Sequence, residues 1–68
     1  MSFRSARIAS GKTVAEVSEE LGVSRIAVYA WEDGQYAPKL DKLQKLAKLY
    51  GCTIDELLRK EEGNGPQN

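Results

Sequence analysis

Between Ser24 and Gly34 the side chains fall into two unlike groups. Ala27, Val28 and Trp31 recur at the spacing that gathers apolar groups on one side of a helix. The other side then carries Arg25, Ile26, Tyr29, Ala30 and Asp33. A solvated helix face is ordinarily rich in Lys and Glu. This one presents a guanidinium, an isoleucine and a tyrosine, the composition of a surface that meets a partner. The chemistry open to it is the reading of base edges in a groove. An arginine can hold guanine O6 and N7 with two hydrogen bonds, an isoleucine or alanine can lie against a thymine methyl, and a tyrosine can reach a base or a phosphate. A helix buried on both sides is the competing reading.

Covalent chemistry has little to work with. The chain has no histidine, the usual acid/base residue, and no glycine-rich phosphate loop. Its single cysteine, Cys52, stands between Gly51 and Thr53 with no acid/base partner in view, so a small buried hydrophobe is the expectation. One cysteine forms no internal disulfide, and without histidine a zinc site is not expected. The chain is therefore read as a non-enzyme with no catalytic residue, cofactor or metal.

Glycines mark the elements that must position the Arg25 face. Gly11, Gly22, Gly34, Gly51 and Gly63 stand where helices end, since the residue just past a helix often turns left-handed. Thr13-Val14-Ala15-Glu16 and Thr53-Ile54-Asp55-Glu56 match the capping box, and Ser24 offers a simpler cap. Five helices are predicted: 2–10, 13–21, 24–33, 39–50 and 53–60. In the fourth, Leu40, Leu43, Leu46, Ala47 and Tyr50 share a stripe opposite Asp41, Gln44, Lys45 and Lys48, with Leu49 off it. Phe3 and Ile8 are expected to reach the core from helix 1, and Ile54, Leu57 and Leu58 from helix 5. Sixty-eight residues suffice for one small domain. The fold class is all-α, a compact five-helix bundle over 1–60, with 61–68 read as a flexible polar tail.

The connection between helices 2 and 3 sharpens the reading. Ser18 is small enough for close crossing, Gly22-Val23 turns the chain, and Ser24 caps the next helix. That order is the helix-turn-helix arrangement, which leaves the outward face of the second helix free to enter a major groove.

From residue 3 to 59 the chain resembles the Cro/phage-repressor (Xre-type) helix-turn-helix family, without a gap. The likeness runs through Arg7, Gly11, Thr13, Glu16 and Val17, then Leu21-Gly22-Val23-Ser24, Val28, Trp31-Glu32, Gly34 and Pro38. It continues through Leu40, Leu43, Leu46-Ala47 and Gly51 to Ile54-Asp55-Glu56-Leu57-Leu58. The resemblance implies a lambda-repressor-like DNA-binding domain and a transcriptional regulator, specifically a repressor. It implies base contacts from Arg25, Ile26, Tyr29 and Ala30. Phosphate contacts are implied for Thr13 and Val14, for Gln35 and Tyr36, and for Lys39 and Lys42; helix N-termini suit phosphate because their amides are free. It also implies an ion pair between Arg7 and Glu32. Two positions depart from the family pattern. Val14 stands where relatives often carry a glutamine, which leaves its backbone amide as the donor. Lys39 replaces a small capping residue, trading a cap for a cation.

Charge fits this reading by placement, not by sum. Ten basic residues balance ten acidic ones, unlike the usual basic DNA-binding domain. Glu61 and Glu62 fall in the tail and Glu19 and Glu20 late in helix 2, whereas Arg4, Lys12, Arg25, Lys39 and Lys42 are expected nearer the DNA. The expected partner is double-stranded DNA bearing a pseudo-palindromic operator. The expected state is a homodimer, formed on DNA if the free protein is monomeric, with its surface drawn from helices 4 and 5. An antitoxin of the same fold, and a protein-binding bundle that no longer binds DNA, are the alternatives. No 18-residue apolar run and no secretory signal are present, so a cytoplasmic protein of bacterial or phage origin is expected.

Overall fold

The computed structural model describes residues 2–58. They form α1 (Phe3–Ala9), α2 (Val14–Leu21), α3 (Arg25–Asp33), α4 (Leu40–Tyr50) and α5 (Ile54–Leu58). The fold is all-α, as the sequence predicts. The described helices begin one residue inside the predicted spans because Ser2, Thr13, Ser24 and Lys39 are N-caps with extended backbone. The predicted end of helix 5 and the polar tail lie outside the described residues.

Local chemistry sets the boundaries. Thr13 Oγ1 accepts from the Glu16 amide at 3.1 Å while Glu16 Oε1 accepts from the Thr13 amide at 2.9 Å. Thr53 and Glu56 repeat the arrangement at the start of α5. Ser2 and Ser5 build a third such box, which the sequence reading missed because serine in place of Glu or Gln hides it. Lys39 makes no side-chain cap at all. At Gly22 the backbone is left-handed (φ 70, ψ 35), and the Val23 amide donates to the Ser18 carbonyl at 3.0 Å. An L-residue with a side chain rarely adopts that φ, so glycine holds the turn between α2 and α3.

Val17, Leu21, Val28, Trp31, Leu46 and Leu57 form the centre of the core, with Ala6 from α1. Ser18 is buried on α2, and α2 and α3 make the most extensive helix pair among the described residues. Its hydroxyl donates to the Ala15 carbonyl at 2.8 Å, so burial leaves no polar group unsatisfied.

Three leucine-type expectations are corrected. Ile8, Leu40 and Leu58 are all exposed. On α1 the inward stripe is Phe3, Ala6, Arg7 and Ser10, so the long apolar residue points away and an arginine points in. Leu40 is the first residue of α4 and is 63% exposed. Leu58 lies about 100° around α5 from the buried Leu57. Leu49, expected off the stripe, is half-buried and packs against the core. Among the described residues no helix is long and apolar enough to cross a membrane.

Candidate nucleic-acid interface

α3 begins at Ser24, whose Oγ accepts from the Ala27 amide at 3.1 Å. Val28 and Trp31 anchor the helix in the core, and Ala27 packs against it. The exposed strip that remains carries Arg25, Ile26 and Tyr29 within a single turn and a quarter. Ile26 is 75% exposed and Tyr29 51%. The Arg25 side chain makes no hydrogen bond or ion pair with the described residues and keeps all five donors available. This arginine therefore stands exposed beside an aliphatic and an aromatic side chain.

Ala30 does not belong to that strip. It was expected to contact a base, yet it is 4% exposed. Its Cβ lies about 40° beyond Ile26, toward the flank marked by Ala27. α3 packs against both α1 and α2, so the open strip is narrower than half the helix. A methyl group near its border is covered.

The residues expected at phosphates fall at helix starts and in the α3–α4 connection. Thr13 is exposed, but its amide is already held by Glu16, which leaves its hydroxyl proton as the donor. The Val14 side chain is buried in the core. Its amide opens α2, where the helix supplies no carbonyl to receive it. Gln35 and Tyr36 are exposed, with the Gln35 amide returned to the Ala30 carbonyl at 3.0 Å. Lys39 is exposed at the start of α4. Lys42 is partly covered, and its Nζ lies 3.5 Å from Asp41 Oδ2. Asp41, with Lys42 beside it, is held somewhat below the usual carboxylate range, although desolvation opposes the shift.

Behind the strip stands a buried ionic cluster. Arg7 Nε donates to Glu32 Oε2 at 2.6 Å, and Arg7 Nη2 donates to Glu32 Oε1 at 3.3 Å. Arg7 Nη1 also donates to the Lys12 carbonyl at 3.2 Å, tying α1, the α1–α2 turn and α3 together. The Glu32 side chain is 1% exposed and that of Arg7 15%. The hydrogen bond to Glu32 raises the guanidinium above its ordinary pKa, against the opposing effect of burial. Burial pushes the Tyr50 phenol up to about 12, with Glu32 adding to the shift and Arg7 opposing it. Burial likewise pushes the Cys52 thiol up, away from the reactive thiolate.

Arg4 joins this cluster, a pairing that sequence reasoning missed: its Nε reaches Glu32 Oε1 at 3.3 Å and its Nη2 reaches Asp33 Oδ1 at 3.1 Å. The available signal was its spacing: Arg4 and Arg7 are one turn apart on α1, facing consecutive acids at the end of α3. Asp33 is thus engaged by α1 rather than free to meet a base.

The family model described as helix-turn-helix matches residues 3–57. The chain belongs to the helix-turn-helix family. The match includes the Ser18–Gly22–Ser24 turn and all of α1 to α4, and it reaches into α5. Three relatives illustrate the range of this family. The cryptic phage CTXphi transcriptional repressor RstR of Vibrio cholerae is 38% identical over 62 residues, 91% of this chain and 56% of that protein. The HTH-type transcriptional activator BcrR of Enterococcus faecalis is 39% identical over 56 residues, 82% of this chain and 28% of that protein. An uncharacterized HTH-type transcriptional regulator of Methanocaldococcus jannaschii is 36% identical over 50 residues, 74% of this chain and 76% of that protein. This helix-turn-helix chain therefore spans little more than half of RstR and about a quarter of BcrR. No solved structure gives a significant match.

Proposed function

We propose that this chain is a sequence-specific DNA-binding transcriptional regulator that represses by occupying an operator, with α3 in the major groove. One observation carries the reading: α3 turns a free arginine, a 75%-exposed isoleucine and an exposed tyrosine outward from a helix-turn-helix. Such exposure is costly on a surface without a partner and apt for a groove of base edges. The likeness to a phage repressor supports the repressor assignment. Selection of bound sequences from a random duplex pool tests the whole reading. Retention of no duplex at all would sink it in favour of a protein-binding bundle, and binding that DNA of any composition competes away equally would refute sequence-specific reading.

Affinity should fall steeply with salt, because phosphate neutralisation drives it. Each neutralised phosphate contributes roughly 0.9 to the slope of log affinity against log salt. Lys42 and Lys39 at the head of α4 supply two of the charges. The Lys42→Ala protein should show a slope lower by about one, with its preferred sequence unchanged. An unaltered slope removes Lys42 from the phosphate contacts.

The complex should contain two chains on a pseudo-palindrome whose half-site centres are about 10 base pairs apart, the spacing that presents successive major grooves on one face. A single small domain contacts too few base pairs for genomic specificity, which is why pairing is expected. Exposed Leu58 on α5 offers apolar surface for it. Sedimentation of the saturated complex reads the stoichiometry; one chain per minimal operator refutes the dimer.

A further inference from the structure

The burial of Ala30 leaves Ile26 as the one aliphatic side chain on the open strip of α3. Ile26 is the most exposed of the large hydrophobic residues described, at 75%. It stands at the second position of the helix, about 100° around from Arg25, and Tyr29 lies between the two in angle one turn further along. Its side chain takes no part in the core cluster. Its β-branched side chain is also stiff, so in a helix it holds its methyl groups in one place.

The major groove offers a single kind of apolar target to such a group, the methyl carbon on C5 of a pyrimidine. We infer that Ile26 makes α3 a reader of C5-methylated pyrimidines, with the methyl packed between Ile26 and the ring of Tyr29. This inference rests on the proposed function and specifies what the same face selects. Arg25 supplies the polar half of the recognition and Ile26 the apolar half, so the preferred half-site holds a guanine close to a methyl-bearing pyrimidine. Thymine and 5-methylcytosine carry the same methyl in the same place, and both satisfy the contact. Cytosine and uracil do not.

The full chain is used to select a duplex from a random pool. Each thymine of that duplex is then replaced in turn by deoxyuridine, which removes the methyl and alters no hydrogen-bonding group. At one position per half-site the replacement should weaken wild-type binding about fourfold, the equivalent of about 0.8 kcal/mol for one methyl taken from water. The Ile26→Ala protein should bind the selected duplex more weakly and lose this sensitivity altogether. Because Ile26 is exposed, its thermal melt should match that of the wild type. A second arm places cytosine or 5-methylcytosine, opposite guanine, at the same position. Wild type should prefer the methylated base about fourfold, and Ile26→Ala should not distinguish the two. Two results overturn the inference while leaving DNA binding intact: no thymine whose methyl matters, or a methyl sensitivity that Ile26→Ala retains. Failure to enrich any sequence overturns the underlying reading of the site instead.

Discussion

Replacing Glu32 with alanine should destabilise the protein by about 3–5 kcal/mol, the largest effect expected of any single polar substitution in it. Glu32 is nearly sealed from solvent and accepts from Arg7 and Arg4 at once. Its removal leaves the largely covered Arg7 guanidinium with the Lys12 carbonyl as its remaining acceptor in the cluster. The penalty is the desolvation of an uncompensated charge, not the loss of an attractive pair as such. Glu20→Ala, on the exposed end of α2, should change stability by less than about 0.5 kcal/mol. For a domain of this size each kcal/mol moves the melting temperature by about 4–8 °C, so the two variants are easily separated. The double variant Arg7→Met, Glu32→Leu should recover much of the loss, because an apolar pair of similar volume carries no desolvation cost. Comparable melting shifts for Glu32→Ala and Glu20→Ala would refute the brace. The exposed Arg4–Asp33 bridge should matter far less, about 0–1 kcal/mol, since water screens it.

Arg25→Ala should weaken operator binding about 5- to 150-fold, the worth of one bidentate arginine–guanine contact at about 1–3 kcal/mol. Arg25 is the one cation on the exposed strip of α3 and stands in its first turn. Competing intramolecular partners are absent among the described residues, so no ion pair must be broken before it engages a base. Non-specific binding should fall much less, because the lost contact carries sequence information rather than phosphate charge. Arg25→Lys offers a finer comparison: it keeps the charge and loses the planar fork, so it should retain non-specific affinity while relaxing the guanine preference. Parallel loss on specific and non-specific DNA, with the guanine preference intact, would show that Arg25 holds a phosphate. The two predictions separate cleanly. Glu32→Ala acts on folding, whereas Arg25→Ala should leave the melt unchanged.

The sequence by itself determined the elements and the family. Capping boxes and glycine stops are local: each is closed by hydrogen bonds within a few residues, so residue types at fixed offsets reveal them. The Ser18–Gly22–Ser24 turn is local in the same sense, and it carries the relation between α2 and α3. The Arg7–Glu32 contact spans 25 positions and entered through the family likeness, because no local rule pairs residues so distant. Tertiary packing alone decided which side chains of each helix are open. A helical wheel divides a helix into two halves, but α3 is covered from two directions. That geometry removes Ala30 from the exposed strip and leaves Ile26 as its aliphatic side chain. The same effect turned Ile8 and Leu40 outward, where hydrophobicity alone had placed them inside. The sequence showed Arg4 only as a cation, and the approach of the end of α3 to α1 made it a partner of Glu32 and Asp33. Charge and hydrophobicity are properties of a residue, whereas exposure and pairing belong to the neighbours that the fold brings to it.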